Sequence, residues 1–486
     1  MRRPRLLLVA LGLALATGCS GSVSTPPPVR QAAGPPHAIE HVIIMLQENR
    51  SFNNLFAGFP GADAQMWGTC DDRLAACKAR GGRVNLKPIT LESTHALGGK
   101  DIDHSHQAFE VECARDGSGA CRMDGFDLIG YGQSGSKGPA GLYPYSYVNR
   151  NETKPYWDFA ERYALADHMF FTATASSFIA HQQIIAGTTQ IGQNESLTDQ
   201  PNQMPWGCDA PEFKHGSQVT FTPVIDKAGR VHQNGPFPCF TQYATMADLL
   251  DAAGVSWKYY VAPMYGANFN FSGSVWNGFD AIKKVACPSG YYKAGFHYCN
   301  RGADWSHISK PNTNVLEDVA AGKLPSVSWV IPTLCASDHP ASGSNHGPQW
   351  VTKVVNAVGR SKYWRDTAIV ILWDDWGGWY DNVAPPQTSY TGLGFRVPMI
   401  VISPYAKPHD VSHTQYDFGS VLKFVEENFG LGSLGTSDAT ANSIGDVFDF
   451  YQLPRPFKPE PNPPVVSCPK FHSASELIEL DGGVPE

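Results

Sequence analysis

The chain has 486 residues, of which 42% are hydrophobic and 17% charged, a composition that allows a large core and excludes global disorder. Its 47 glycines and 37 prolines predict many loops and argue against a coiled coil or a simple helical bundle. The formal net charge is −8. Because nucleic-acid binding usually depends on an excess of positive charge, we do not expect nucleic acid as a partner of this acidic chain.

The N-terminus has the pattern of an export signal. Arginines within residues 2–5 precede an apolar run over 6–18 that is short for a membrane span. Small residues then lead into Cys19, as in a bacterial lipobox, in which the cysteine is lipidated. Ordinary cleavage nearby, without a lipid, is the alternative. We predict a signal peptide over 1–18, a Pro-rich flexible tether over 19–37, one folded domain over 38–470 and a tail over 471–486. The protein would then be periplasmic, anchored to the outer membrane as a lipoprotein, or secreted.

The chain has eleven cysteines. If Cys19 carries a lipid, an even number remains, which is typical of a disulfide framework in an oxidising compartment. The sequence does not fix the connectivity, but pairing neighbours suggests five bridges: Cys70–Cys77, Cys113–Cys121, Cys208–Cys239, Cys287–Cys299 and Cys335–Cys468. Thiolate metal binding is the alternative, and it is disfavoured because no C-x2-C pair occurs.

Short apolar runs alternate with amphipathic segments along the folded part of the chain. The runs predict buried strands at 41–46, 255–261, 327–331, 368–373 and 397–402. Helices are predicted at 242–253, 350–358 and 418–429, the last between an Asp417 N-cap and Gly430. This alternation indicates an α/β fold with a mostly parallel central sheet flanked by helices. The Gly-, Pro- and Cys-rich stretches 60–150 and 190–240 are expected to be loop insertions held by disulfides.

Polar residues follow three of the predicted strands. Glu48 and Asn49 follow the first, Asp374 and Asp375 follow the fourth, and His339 comes shortly after the third. Ligands of open α/β sheets bind beyond the carboxyl ends of strands, so these side chains predict a site there. The side-chain oxygens of Glu48, Asn49, Asp374 and Asp375 suit Mg²⁺, Ca²⁺ or Mn²⁺. For the aspartate pair alone a helix cap or a surface pair is the simpler interpretation, but the flanking tryptophans disfavour a solvated face.

Serine and histidine supply further candidates. Ser176 and Ser177 open a segment that predicts a short helix, and a helix N-terminus favours a phosphate. Serine is also a good N-cap, which is the simpler interpretation of these two residues alone. His104 and His339 each lie beside an acid in a polar loop. There an imidazole can bind a phosphoryl oxygen or protonate a leaving group near neutral pH, although either histidine taken singly is more often structural.

Together these motifs resemble the bacterial phosphoesterases that include secreted phospholipases C and an acid phosphatase. The matching segments span residues 40–430, among them IMLQENRSF at 44–52, DIDHS at 101–105, SSFIAHQ at 176–182, SDHP at 337–340 and IVILWDDWGGWYDNVAPP at 369–386. The resemblance implies an alkaline-phosphatase-like α/β core, with 38–470 as the catalytic domain. It also implies a phosphoric ester hydrolase, either a phosphomonoesterase or a phospholipase C-like phosphodiesterase. The substrate would be a phosphate ester, with a phospholipid headgroup as one candidate.

The resemblance further implies roles for individual residues. Ser177 matches the nucleophile, with Ser176 as its close competitor, and His104 and His339 match positions that contact the phosphoryl group. One divalent metal ion, Ca²⁺, Mg²⁺, Mn²⁺ or Zn²⁺, would be bound by the residues that match its ligands: Glu48, Asn49, Asp374 and Asp375. The metal would lower the pKa of the Ser177 hydroxyl, and attack would give a phospho-serine intermediate that water releases.

Three positions depart from the family pattern. Asn53 replaces an acid after ENRSF, Asn382 replaces a histidine after Asp381, and Trp276-Asn277 stand where some members carry another active-site histidine. The last difference speaks against a pocket shared with the acid phosphatase. A function of another class is a non-catalytic, exported binding lipoprotein that retains the fold. The complete set of candidate metal ligands and serines disfavours it.

Overall fold

The computed structural model describes residues 38–91, 101–132, 135–210, 220–263, 272–293, 296–386 and 390–468. The predicted signal peptide at 1–18, the tether at 19–37 with its Cys19, and the tail at 471–486 lie outside the described residues. The single domain over 38–470 stays a prediction. None of the helices in the described ranges combines the length and apolar character that crossing a membrane requires.

The strands of the described ranges are numbered in chain order. They are β1 (His41–Gln47), β2 (Trp67–Thr69), β3 (Arg83–Asn85), β4 (Lys87–Ile89), β5 (Ser146–Val148), β6 (Ala164–Ala166), β7 (Gln190–Gly192), β8 (Glu195–Leu197), β9 (Val224–Asp226), β10 (Val231–His232), β11 (Trp257–Tyr260), β12 (Ser289–Lys293), β13 (Phe296–Asn300), β14 (Ile308–Ser309), β15 (Val327–Val330), β16 (Thr367–Trp373), β17 (Met399–Ile402) and β18 (Asp410–Ser412).

The α-helices of the same ranges are numbered likewise. They are α1 (Phe52–Phe56), α2 (Ala75–Lys78), α3 (His106–Cys113), α4 (Lys154–Arg162), α5 (Ser177–Ala186), α6 (Met246–Ala253), α7 (Ser272–Val275), α8 (Lys283–Ala286), α9 (Asn314–Ala320), α10 (Gly347–Gly359), α11 (Phe418–Phe429) and α12 (Ser437–Thr440). Helix α5 contacts α6 and α11, whereas α10 contacts α4 and α9.

An eight-stranded sheet forms the centre of the fold, in the order β14-β11-β15-β1-β16-β17-β6-β18. Strand β1 pairs in parallel with both β15 and β16, and only β17 runs antiparallel to its neighbours. All seven residues of β16 are buried, as expected for a parallel strand that is covered on both faces. The predicted α/β fold with a mostly parallel sheet is confirmed.

The predicted strands and helices are present with small shifts in their ends. Helix α11 has the predicted bounds, with the Asp417 side chain accepting from the backbone N–H of Ser420 and Gly430 at its C-terminus. Helix α6 begins at Met246 rather than at 242, because Thr245 and Asp248 form a capping box there. Strands β6, β14 and β18 were not predicted, since two or three residues are too few to show a period.

Five disulfides join the cysteines as predicted: Cys70–Cys77, Cys113–Cys121, Cys208–Cys239, Cys287–Cys299 and Cys335–Cys468. Four of them join cysteines 7 to 31 residues apart, and three of these, Cys70–Cys77, Cys113–Cys121 and Cys208–Cys239, lie within the predicted insertions. The fifth ties the chain after β15 to a segment 133 residues further on. The prediction of disulfide-held loop insertions is confirmed.

Candidate active site

The site lies where β1 and β16 end at the same edge of the sheet. Gln47 pairs with Trp373 at the ends of the two strands, and the Asp374 N–H donates to the Gln47 carbonyl at 2.9 Å. The two predicted polar pairs therefore leave the sheet side by side. Glu48, Asn49, Asp374 and Asp375 are all fully buried.

Asn49 connects the predicted residues. Its φ of 51° lies in the left-handed region, which asparagine adopts more readily than most residues. Its backbone N–H donates to Asp374 Oδ1 at 2.7 Å. Its side-chain Nδ2 lies 3.1 Å from Ser177 Oγ, 3.2 Å from Asp375 Oδ2 and 3.0 Å from His104 Nε2. One side chain thus contacts the candidate nucleophile, an acid and a histidine.

Ser177 is the first residue of α5, and its Oγ donates to Asp375 Oδ2 at 3.1 Å. Ser176 precedes it at the N-cap position, but its side chain makes no capping hydrogen bond. The Ser176 hydroxyl lies 3.4 Å from Gln200 Oε1 instead. The geometry therefore brings Ser177, rather than Ser176, to the acids. Because Ser177 begins a ten-residue helix, its surroundings also carry the positive potential of a helix N-terminus.

The two aspartates are held in a tight turn. Asp375 Oδ1 accepts from the N–H of Gly377 at 2.7 Å, and Gly377 and Gly378 have φ of 60° and 73°, a conformation that favours glycine. Burial raises the pKa of Asp375 well above its usual range, and the adjacent charge of Asp374 raises it further. A cation placed against this pair would relieve both effects.

The residues present fit a divalent cation. Asn49 Oδ1 and Asp374 Oδ2 are buried and make no hydrogen bond within the described part of the chain. Glu48, His181 and Asp374 each offer a ligand atom, and these atoms lie within 4.8 Å of one another. Carboxylate, amide and imidazole groups are usual ligands of divalent metals.

His181 is absent from the predicted site residues, although it lies in the matching SSFIAHQ segment. It is fully buried, its Nε2 lies 3.0 Å from Glu48 Oε1, and burial lowers its pKa to about 4 although Asp374 opposes that shift. It stands four residues after Ser177 in α5, and residues four apart share one face of a helix. That spacing is the signal that could have found it.

The two predicted histidines approach a common carboxylate. His104 Nδ1 lies 2.7 Å from the Ile102 carbonyl and 3.7 Å from Asp101 Oδ2. His339 is fully buried, and its Nε2 lies 3.8 Å from the same Asp101 oxygen. Asp101, which was not among the predicted site residues, thus lies between the histidines. His104 also contacts Asn49 directly, whereas His339 is connected to His104 through Asp101.

Asp338 fixes the backbone next to His339. It adopts a φ of 72°, and its buried Oδ2 accepts from Tyr156 at 2.7 Å, Trp373 Nε1 at 3.3 Å and Gln47 Nε2 at 3.4 Å. Burial raises the pKa of this carboxyl, against the hydrogen bond from Tyr156. Side chains from α4, β16 and β1 therefore hold the turn that carries His339.

Trp276, at the position where some family members have a histidine, is an aromatic wall of the site. Its ring centroid lies 6.3 Å from that of His181, at 9° between the planes, and 6.0 Å from that of His339, at 29°. The indole is fully buried. The Trp276 ring therefore contacts the imidazoles of both His181 and His339, and its indole has no group that titrates.

Comparison with known proteins gives consistent matches. The model of the Phosphoesterase family matches residues 39–432. The chain is 26% identical to phospholipase C B of Mycobacterium tuberculosis, over 89% of this chain and 82% of that protein. It is 25% identical to hemolytic phospholipase C of Pseudomonas aeruginosa, over 85% of this chain and 56% of that protein. The solved structure of a Vibrio parahaemolyticus protein in the alkaline phosphatase superfamily matches with a TM-score of 0.32 at 10% identity, over 68% of this chain and 78% of that one.

Proposed function

This chain belongs to the Phosphoesterase family and is a phosphoric ester hydrolase, and we propose that it is an exported, metal-dependent enzyme that acts through a phospho-serine at Ser177. Relatives that match across most of the chain are named phospholipase C, which favours a phosphodiester of the phospholipid type as substrate. A phosphomonoester is the second candidate. The relatives' names argue against a non-catalytic binding lipoprotein.

The contacts of Ser177 are the observation that carries this proposal. Its Oγ donates to Asp375 and accepts from Asn49, each at 3.1 Å. Asp375 would take the hydroxyl proton as Oγ forms its bond to phosphorus and the bond to the leaving oxygen breaks. The N–H groups at the start of α5 would bind the phosphoryl oxygens. A protonated His104, the more exposed of the two histidines, would supply the proton to the leaving oxygen.

The metal would be held by Glu48, Asn49, Asp374 and Asp375. When bound, it would polarise a phosphoryl oxygen and lower the pKa of the Ser177 hydroxyl. The buried carboxylates support the metal, since two adjacent charges in a dry site repel each other. His339, held through Asp101 and Asp338, would offset the charge that develops on the phosphoryl oxygens. Attack of water on the phospho-serine then regenerates the hydroxyl.

The test uses two chromogenic esters, p-nitrophenyl phosphate and p-nitrophenylphosphorylcholine, with the metal supplied. Ser177→Ala should lose at least about 1,000-fold in kcat. Ser176→Ala is the matched control, because it removes the neighbouring hydroxyl, and it should keep most of the activity. Acid quenching during turnover should trap phosphate from the monoester, or phosphorylcholine from the choline ester, on the peptide that contains Ser177.

The outcomes separate the candidates. Turnover of the choline ester supports the diesterase, and turnover of the monoester alone makes the enzyme a phosphatase. Activity that survives in Ser177→Ala but is lost in Ser176→Ala would contradict the nucleophile assignment. Full activity of the chelator-treated protein would contradict metal dependence.

Export is supported by the five disulfides, since such bridges persist in oxidising compartments. The signal pattern before Cys19 supports the same conclusion, and its lipobox favours a lipid anchor over free release. The protein would act in the periplasm or at the outer membrane, on phosphate esters that reach it there.

A further inference from the structure

We infer that His181 is a ligand of the metal through Nε2, and that this imidazole makes the site select Mn²⁺ or Zn²⁺ over Ca²⁺ and Mg²⁺. The inference rests on the proposed metal dependence and deepens it, because it adds a nitrogen ligand to a set that otherwise consists of oxygens. It follows from the direction of the hydrogen bonds around one buried tyrosine.

The hydroxyl of Tyr259 determines which nitrogen of His181 carries the proton. This hydroxyl donates to the Trp276 carbonyl at 2.8 Å, and a carbonyl can only accept, so the single hydroxyl proton is used there. The Tyr259 oxygen accepts from the Gly278 N–H at 3.3 Å and lies 3.4 Å from His181 Nδ1. Toward Nδ1 it can only accept. A hydrogen bond between Tyr259 and His181 therefore requires the proton on Nδ1.

Nε2 of a neutral His181 then presents a lone pair to the acids. It lies 3.0 Å from Glu48 Oε1, and both side chains are fully buried. Two acceptors at this distance repel each other unless something positive lies against them. Asp374 adds a third acceptor within 4.8 Å. A divalent cation satisfies all three atoms at once, whereas a proton shared by His181 and Glu48 would satisfy only two.

The surroundings of His181 resemble those of a metal ligand. A histidine that binds a metal usually donates its other N–H to a fixed acceptor, which sets the tautomer and the ring orientation. Tyr259 is that acceptor, and the Trp276 ring lies almost parallel to the imidazole at 9°. The histidine also lies one helical turn after Ser177 on α5, so the helix that carries the nucleophile would carry the ligand too.

A nitrogen ligand changes which metals the site prefers. Ca²⁺ and Mg²⁺ take oxygen ligands almost alone. Imidazole suits Zn²⁺ and other transition metals, and a mixed set with carboxylates also accepts Mn²⁺. Glu48, Asp374 and His181 together form such a mixed set.

Pulsed electron paramagnetic resonance of the purified full-length protein, stripped by chelation and loaded with Mn²⁺, tests the inference without an activity assay. The wild type should show ¹⁴N coupling to the metal, and His181→Gln should lose it. His307→Gln is the matched control, because it removes a half-buried imidazole that contacts the Trp257 carbonyl outside the site, and it should keep the coupling. In competition among Ca²⁺, Mg²⁺, Mn²⁺ and Zn²⁺, the wild type should retain Mn²⁺ or Zn²⁺, and His181→Gln should bind Mn²⁺ about 10–100-fold more weakly.

Bound Mn²⁺ without ¹⁴N coupling, coupling that persists in His181→Gln, or a preference for Ca²⁺ would overturn the inference and leave the proposed metal dependence standing. A wild type that binds none of the four metals would overturn the metal dependence itself. If His181→Gln does not fold, the wild-type spectrum and Tyr259→Phe decide. Tyr259→Phe should keep the coupling and bind Mn²⁺ about tenfold more weakly, and unchanged affinity would overturn the role of Tyr259.

Discussion

Removing the hydroxyl of Tyr156 should destabilise the protein in a pH-dependent way. This hydroxyl donates to Asp338 Oδ2 at 2.7 Å, and both side chains are buried. A hydrogen bond to a charged group contributes about 1.5–3 kcal/mol to stability. The donors that remain in Tyr156→Phe, Trp373 and Gln47, are longer at 3.3 and 3.4 Å. We therefore expect a loss of about 1.5–3 kcal/mol at pH 7.

The sign of the pH dependence follows from Asp338. Burial raises the pKa of this carboxyl in the folded state above its ordinary value of 3.8. Between pH 3.8 and the raised pKa, the folded state therefore binds more protons than the unfolded state. Stability contributed by the group therefore falls as the pH rises through that window. Loss of the Tyr156 hydroxyl raises the folded-state pKa further. The variant should thus be most destabilised at neutral pH and closer to the wild type near pH 4.

Urea unfolding followed by tryptophan fluorescence, with the disulfides intact, measures both effects. Tyr145→Phe is the matched control, because the Tyr145 hydroxyl is buried and makes no hydrogen bond within the described ranges, so its removal should cost almost nothing. An equal loss at pH 7 and pH 4 would refute the assignment to the Asp338 carboxylate. A Tyr145→Phe variant as unstable as Tyr156→Phe would refute the value given to the hydrogen bond.

Two further predictions concern the site turn and the N-terminus. Gly377→Ala should lower kcat about 100-fold, because an added Cβ would overlap the Asn49 carbonyl oxygen and displace the side chain that contacts the nucleophile. Gly229→Ala, which has a similar φ of 75° but open space around it, should leave kcat unchanged in the same assay. Cys19→Ser should move the protein from the membrane fraction to the soluble fraction of a bacterial host, and an unchanged distribution would contradict the lipid anchor.

The sheet could be predicted from the sequence where a strand is buried on both faces. Strands β1, β15 and β16 carry mostly apolar runs for that reason, and their ends mark the edge that holds the acids. Strand β18 could not be predicted, because its three residues are half-buried and show no period.

Without the family resemblance, the sequence groups the site residues only where they are neighbours in the chain. Asn49 follows Glu48, and Asp375 follows Asp374, so each pair shares a strand end. The contact of Asp101 with two histidines instead depends on how separate loops pack. The choice between Ser176 and Ser177 depends on which residue begins α5, a shift of one position that helix-start rules do not resolve.

Under the proposed function, charge couples the binding of the metal to the binding of the phosphate ester. Glu48, Asp374 and Asp375 are fully buried, and the buried Arg50 donates to the Asp338 carbonyl and to Asn54 rather than to these carboxylates. A phosphate ester is an anion, and one carboxylate at about 4 Å repels it by about 4 kcal/mol at an effective dielectric constant of about 20. Binding of the cation should therefore strengthen binding of the phosphate ester. Calorimetric titration should show inorganic phosphate binding at least about 100-fold more weakly to the chelated protein than to the Mn²⁺-loaded one. Equal affinities would mean that the start of α5 and the histidines bind the phosphoryl group without help from a metal.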